Sequence, residues 1–124
     1  MNAKLFTGIR LLLGVFVLVF GLNKFLNFLP MGEMSEAAGT YFAGMMSTKT
    51  LTLVALVEIL AGLALILNKF GALMSVILMS VSVNAVLFHL TLEPASSAGA
   101  LVLLLLNILV LIGYKDRLAG LLKP

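Results

Sequence analysis

The chain has 124 residues, of which 62% are hydrophobic and 10% are charged, and its mean hydropathy is +1.21. A soluble domain is about half apolar and about one quarter charged, so this composition excludes an ordinary soluble protein. The absence of cysteine excludes disulfides, thiolate metal sites and dithiol redox chemistry within the chain. The net charge of +3 comes from lysines and arginines that mostly flank apolar runs, where they act as topology signals, so we predict no nucleic-acid partner.

The first apolar run covers residues 5–28 and is long enough to cross a hydrocarbon core of about 30 Å. Arg10, Asn23 and Lys24 interrupt it, and Pro30 lies just beyond its end, where proline is typical of a helix stop. A cleaved signal peptide would have a shorter apolar region and a small-residue cleavage site directly after it. We therefore interpret this run as a retained transmembrane helix.

Residues 29–50 form the only sizeable connector and have a mixed composition with several methionines. We expect a short amphipathic or re-entrant helix over 35–46, with Ser35 as its N-cap. The methionines are expected to pack against apolar neighbours, and an apolar connector of this kind could also form a lid over the bundle.

Beyond the connector lie three more apolar runs. Asn68 and Gly71 mark a tight turn between the first two of them, which predicts an antiparallel hairpin, and Pro94 closes the second. The predicted spans are 51–67, 70–92 and 98–114.

The distribution of basic residues predicts the orientation of these helices. With the N-terminus in the cytoplasm, six of the eight lysines and arginines lie on the inner side, and only Lys24 and Lys49 lie outside. We predict an all-α, multi-pass membrane protein: one four-helix transmembrane bundle over 1–124 with both termini inside.

Three ionisable residues, Lys24, Glu58 and His89, fall in one layer in the outer half of the membrane when depth is counted at about 1.5 Å per residue. A charged side chain near the bilayer centre is costly, so such residues are expected to face the bundle interior and find partners there. Two interpretations remain open. The residues could only fix the helix register, through a Lys24–Glu58 ion pair, or they could line a pocket that binds a small ligand or relays protons.

Further polar residues belong to the same prediction. Asn23 and Asn84 lie in this layer or just below it, Asn107 lies nearer the midplane, and Arg10 lies near enough to the inner surface to reach it as an anchor. We expect no metal site, because one His and one Glu lack the ligand spacing of such sites. The helix faces that carry these residues also carry small ones, which permit close helix approach: Gly14 and Gly21, Ala55 and Gly62, Ser75 and Ser82.

Three segments resemble the DoxX family of small bacterial membrane proteins. They are the stretch from Arg10 to Phe25 with its Gly-Leu-Asn-Lys, the stretch from Leu56 to Leu67 with Glu58 followed by Gly62, and the closing Tyr114-Lys-Asp-Arg. The resemblance implies a four-helix protein of the bacterial inner membrane. It also implies a link to membrane redox chemistry, because the family name is associated with a thiosulfate:quinone oxidoreductase and some members with oxidative-stress complexes.

The hypothesis that combines both arguments is a quinone-linked accessory subunit of a membrane oxidoreductase system. In it Glu58 and His89 handle protons as the catalytic pair, Lys24 orients the carboxylate or the ligand oxygen, and the other polar residues help to bind the ligand. No residue of the chain could carry the electrons, so a membrane or periplasmic redox partner or a bound cofactor must do so. The alternatives are a non-enzymatic scaffold or assembly factor, as linked to distant animal relatives, and a small-solute carrier, which would require a homo-oligomer.

Overall fold

The computed structural model describes residues 1–29 and 32–124, and the proline at 30, which we predicted as a helix stop, lies outside these ranges. The described residues contain helices and no strand. Two single turns of 3-10 helix follow α4 and α6, at Pro94–Ser96 and Ala119–Leu122. The α-helices are α1 Ala3–Leu26, α2 Glu36–Ser47, α3 Thr50–Leu67, α4 Gly71–Leu92, α5 Ala98–Gly113 and α6 Lys115–Leu118.

The long helices α1, α3, α4 and α5 form a bundle in which each is antiparallel to the next. The most extensive contact joins α1 and α3, and further contacts join α3 to α4, α4 to α5, and α5 to α1. The last of these brings Phe6 near the N-terminus against Tyr114 near the C-terminus, with ring centroids 5.0 Å apart. Both termini therefore lie at one end of the bundle, which we call the inner end, and α2 lies at the other, which we call the outer end.

The helix ends follow from local backbone chemistry. Asn27 has a left-handed φ of 51° and ends α1 two residues before the predicted limit of 28, and Asn68, with φ 53°, ends α3 at the predicted position. Asparagine tolerates this conformation because its short polar side chain can bond locally. Asn68 also accepts a hydrogen bond from the Tyr114 hydroxyl at 2.7 Å, which fixes the turn between α3 and α4.

The bundle is apolar on its outside as well as in its core. Leucines on all four long helices are more than half exposed, including Leu12 and Leu60 at 56%, while Leu13 and Leu65, their neighbours in α1 and α3, are fully buried. A helix that is apolar all round is a membrane span or the core helix of a large protein. Helices α1, α3 and α4 are long and apolar enough to cross a membrane, and α5 passes the same test together with α6, from which it is bent by 76°.

Helix α2 lies over the outer end, and its start confirms the predicted cap. The Ser35 hydroxyl accepts a hydrogen bond from the Ala38 N–H at 3.1 Å, which satisfies one of the free donors of the first turn. Ala38 is fully buried, and α2 contacts α3 and, through its aromatic side chains, α4. Helix α2 therefore covers one end of the bundle.

Glycines bring the backbones of α1 and α3 together, as the sequence predicted. A Cβ atom on Gly62 would lie 2.8 Å from the Gly14 carbonyl oxygen and 2.8 Å from the Leu18 Cβ, and one on Gly21 would lie 3.0 Å from the Glu58 Cβ. Such close contact gives the van der Waals packing that drives helix association in lipid.

We expect Gly62→Ala to lower the free energy of unfolding by about 1–3 kcal/mol, because the added methyl group forces α1 and α3 apart. The measurement is the thermal unfolding of the purified protein in mild detergent, followed by circular dichroism. The matched control is Gly8→Ala in α1, where an added Cβ meets no atom within 4 Å. Equal melting temperatures for the two variants would contradict the close α1–α3 contact.

Candidate functional site

An ion pair joins α1 to α3 near the outer end of the bundle. The Lys24 Nζ lies 2.5 Å from the Glu58 Oε1, and the two side chains are 24% and 5% exposed. The buried Oε1 has no other hydrogen-bond donor beside it among the described residues. Lys24 also lies 3.5 Å from the Phe20 carbonyl oxygen. Glu58 is therefore buried and charge-paired with Lys24.

A cavity of about 320 Å³ lies beside this pair, between the outer halves of all four long helices and α2. Its polar lining comes from Lys24, Glu58, Ser80, Asn84 and His89. Aromatic and apolar side chains, among them Phe42, Met45 and Phe88, complete the wall. The structure thus brings the three ionisable residues predicted for one layer to a single cavity under α2.

The cavity is open along α4, because Ser80 and Asn84 line it and are exposed at the bundle surface. The Asn84 amide donates to the Tyr41 hydroxyl at 3.0 Å, and the Tyr41 ring stacks on Phe88 with centroids 4.9 Å apart. These contacts hold α2 against α4 at the edge of the opening. Tyr41 and Phe42 were not singled out in the sequence, where they stand as isolated aromatics in a mixed connector.

His89 connects the cavity to the outer end. It lines the cavity, and its Nδ1 lies 3.4 Å from the Glu93 carbonyl oxygen and 3.3 Å from the exposed Ser96 hydroxyl. One ring nitrogen therefore faces groups at the bundle end, while the residue borders the cavity. This arrangement could pass a proton between the cavity and the outer end of the bundle.

Three of the predicted ligand-binding residues, Asn107, Asn23 and Arg10, do not line this cavity. Asn107 is fully buried between α4 and α5, where its amide donates to the Ser75 carbonyl at 3.0 Å and accepts from the Ser82 hydroxyl at 2.7 Å. Asn23 accepts from the Leu29 N–H at 2.7 Å, just beyond the end of α1. Counting depth along a helix could not show which partners Asn107 and Asn23 would hydrogen-bond.

Arg10 also lies away from the cavity, at the inner end of the bundle. It is 8% exposed, and its guanidinium donates to the carbonyl oxygens of Leu65 and Ile66 in the last turn of α3. Arg10 therefore does not reach the membrane surface as the anchor expected from the sequence. The reason is that the last carbonyls of a helix lack partners within the helix and attract cations.

A further contact, which was not predicted from the sequence, joins the start of α2 to the end of α4 at the outer end of the bundle. The Ser35 N–H donates to the Glu93 carboxylate at 2.5 Å, and the Ser35 hydroxyl donates to the Leu92 carbonyl at 3.2 Å. We call this pair of bonds the latch, because it fixes the start of α2 to the end of α4. The Ser35 backbone N–H holds the pKa of Glu93 below its usual range, with a smaller contribution from the Ser35 side chain.

The ion pair predicts an asymmetric effect of removing either partner. Lys24→Met leaves the more buried Glu58 without a counter-charge, at a cost of up to about 3 kcal/mol, whereas Glu58→Gln leaves Lys24 near a helix end, from which it can reach the surface. We therefore expect Lys24→Met to destabilise the protein more than Glu58→Gln, and the double variant to recover much of the loss.

Chemical unfolding in detergent, followed by circular dichroism, measures these differences. Lys4→Met is the matched control, because it removes the same charge from an exposed position. If both single variants and the double variant unfold like the wild type, the pair contributes nothing to stability.

The latch predicts a pH-dependent release of α2. Because the folded-state pKa of Glu93 is lowered, the latch is intact above the ordinary carboxyl pKa, and is lost as the pH falls through the lower folded value. Hydrogen exchange should therefore become faster in α2 upon acidification, after correction for the intrinsic rate, while the middle of α4 stays protected.

At neutral pH, Glu93→Ala should have the same effect and should remove the acid-dependent step. Glu33→Ala serves as its control, because Glu33 is an exposed carboxylate in the same connector. Unchanged exchange of α2 in Glu93→Ala would show that the latch does not hold the helix.

Comparison with known proteins identifies a family. The model of the DoxX family matches residues 5–91, a segment that runs from the first turn of α1 almost to the end of α4 and includes the ion pair and His89. Tyr114 and the residues after it lie outside the match. No curated protein and no solved structure matches the chain significantly. The family match covers well over half of the chain, and the protein therefore belongs to the DoxX family.

Proposed function

We propose that this multi-pass membrane protein is a quinone-linked accessory component of a redox system in the bacterial inner membrane. The observation that carries the proposal is the cavity in which an ion pair and an imidazole face aromatic side chains, open along α4. In a membrane, an opening on the side of the bundle admits a ligand from the lipid. Quinones are ligands of this kind, with a polar headgroup and an apolar tail.

The size and lining of the cavity support a quinone headgroup. A volume of about 320 Å³ lies at the lower end of the range for small-molecule sites, about 300–1,000 Å³. Phe42 and Phe88 line the cavity and can contact a flat aromatic-like headgroup, and Lys24 offers a cationic donor for one of its oxygens. The Glu58 carboxylate, which lines the cavity, is an acceptor for a hydroxyl group of the reduced form.

The quinone would supply the redox chemistry, since its reduction to the quinol takes up two electrons and two protons. In this proposal Glu58 holds a proton at its carboxylate, and His89 exchanges protons with the outer end beside Ser96. Lys24 keeps the Glu58 carboxylate oriented and balances its charge. Because the chain has no cysteine and no electron-carrying group of its own, the electrons come from a partner in the membrane or the periplasm.

A scaffold or assembly factor is the second candidate. The polar residues that hydrogen-bond between helices favour this candidate. Arg10 and Asn107 stabilise helix contacts in this way and do not line the cavity. Under this alternative the ion pair also serves helix register alone, and the cavity holds no specific ligand.

A single introduced tryptophan distinguishes the two candidates, because the chain has none and quinones quench indole fluorescence. We expect titration with decylubiquinone to quench Phe42→Trp saturably. Leu101→Trp, on the exposed face of α5, is the control for quinone dissolved in the detergent and should be quenched without saturation. Adding Glu58→Gln to the Phe42→Trp reporter should weaken binding about tenfold, the effect of losing one hydrogen bond to a charged group.

Organic extraction of the purified protein provides an independent measurement. Quinone recovered with the wild type and depleted in Glu58→Gln would support the proposal. Equal, non-saturating quenching of both reporters, together with no extracted quinone, would overturn it in favour of the scaffold.

A further inference from the structure

A second, smaller cavity of about 170 Å³ lies next to the first, and the two share Lys24 and Leu51. It is bordered by the end of α1, the end of α2 and the start of α3. Lys24 and Lys49 supply its charges, Thr52 adds a hydroxyl group, and Phe25 and Met46 supply apolar walls. Neither the family match nor the proposed quinone site accounts for this cavity.

The charges around this cavity do not balance. Lys24 pairs with Glu58, but Lys49 forms no ion pair with any described residue, and no acidic side chain lines the cavity. The two lysines and Glu58 together leave one positive charge. The cavity therefore favours an anion.

The walls of the cavity indicate which kind of anion. Phe25 and Met46 are 47% and 61% exposed, so the cavity has apolar rims on the outside of the bundle, where acyl chains would lie in a membrane. Its volume is well below that of sites which enclose a whole ligand, about 300–1,000 Å³. It can take a headgroup while the rest of the molecule stays outside.

We propose that this cavity binds the phosphate group of an anionic phospholipid from the outer leaflet. Lys49 and Lys24 contact the phosphate, and the acyl chains run along α1 and α3 beside Phe25 and Met46. Lysine is a common ligand of phosphate, and attraction of basic residues to anionic headgroups is a general feature of membrane surfaces. The site shares Lys24 with the first cavity but does not depend on a quinone being bound there.

Native mass spectrometry of the detergent-purified protein tests this inference. With added phosphatidylglycerol, the wild type should retain one lipid, and Lys49→Gln should bind it about fivefold more weakly, the contribution expected of one lysine near an anionic surface. The control Lys69→Gln removes an exposed lysine at the inner end and should bind like the wild type. Phosphatidylcholine, whose choline group offsets the phosphate charge, should bind the wild type more weakly than phosphatidylglycerol and should lose less affinity in Lys49→Gln.

Three results would overturn the proposal. An equal loss of phosphatidylglycerol affinity in Lys49→Gln and Lys69→Gln would mean that the lipid is attracted by the overall positive charge and not by this cavity. Equal binding of both lipids by the wild type would mean that the anionic headgroup is not recognised. Displacement of phosphatidylglycerol by millimolar inorganic phosphate would mean that the ligand is a free anion. None of these results depends on quinone binding, so the two proposals can fail separately.

Discussion

In the hydrocarbon core of a membrane, a polar group has no water to bond and must find its partner within the protein. The contact between α1 and α3 meets this demand at both of its ends. At the outer end Lys24 pairs with Glu58. At the inner end Arg10 donates hydrogen bonds to the last carbonyl oxygens of α3. Between these ends, Gly14 and Gly62 let the two backbones touch. The pairing of charges and the close packing thus support the same helix pair.

The remaining helices build the site around this pair. Helices α4 and α5 complete the bundle through the hydrogen bonds of Asn107, while α2 lies across the outer end and is latched to α4 by Glu93. The cavity forms where α2 covers the ion pair without filling the space beside it. Lys24 and Glu58 therefore both hold α1 against α3 and border the cavity.

The sequence was sufficient to predict the helices and the polar layer, because apolar run length and helical phase determine which residues lie at one depth and on one face. Lys24, Glu58 and His89 were predicted on this basis to lie in one layer, a shared pocket being one of two interpretations, and all three line one cavity of the structure. Depth and phase do not specify partners on other helices, so the satisfied bonds of Asn107 and Arg10 were not foreseen. The latch between Ser35 and Glu93 joins residues 58 positions apart, and no local pattern predicts such a contact.

We predict that the cavity and α2 lie on the outer side of the membrane and both termini on the inner side, and cysteine labelling tests this most directly because the chain has no cysteine of its own. The variants are Thr40→Cys in α2 and Gly120→Cys near the C-terminus, both at exposed positions. In intact cells, a membrane-impermeant maleimide should label position 40 at once and position 120 only after the cells are opened. Labelling of position 120 in intact cells with protection of position 40 would contradict the account.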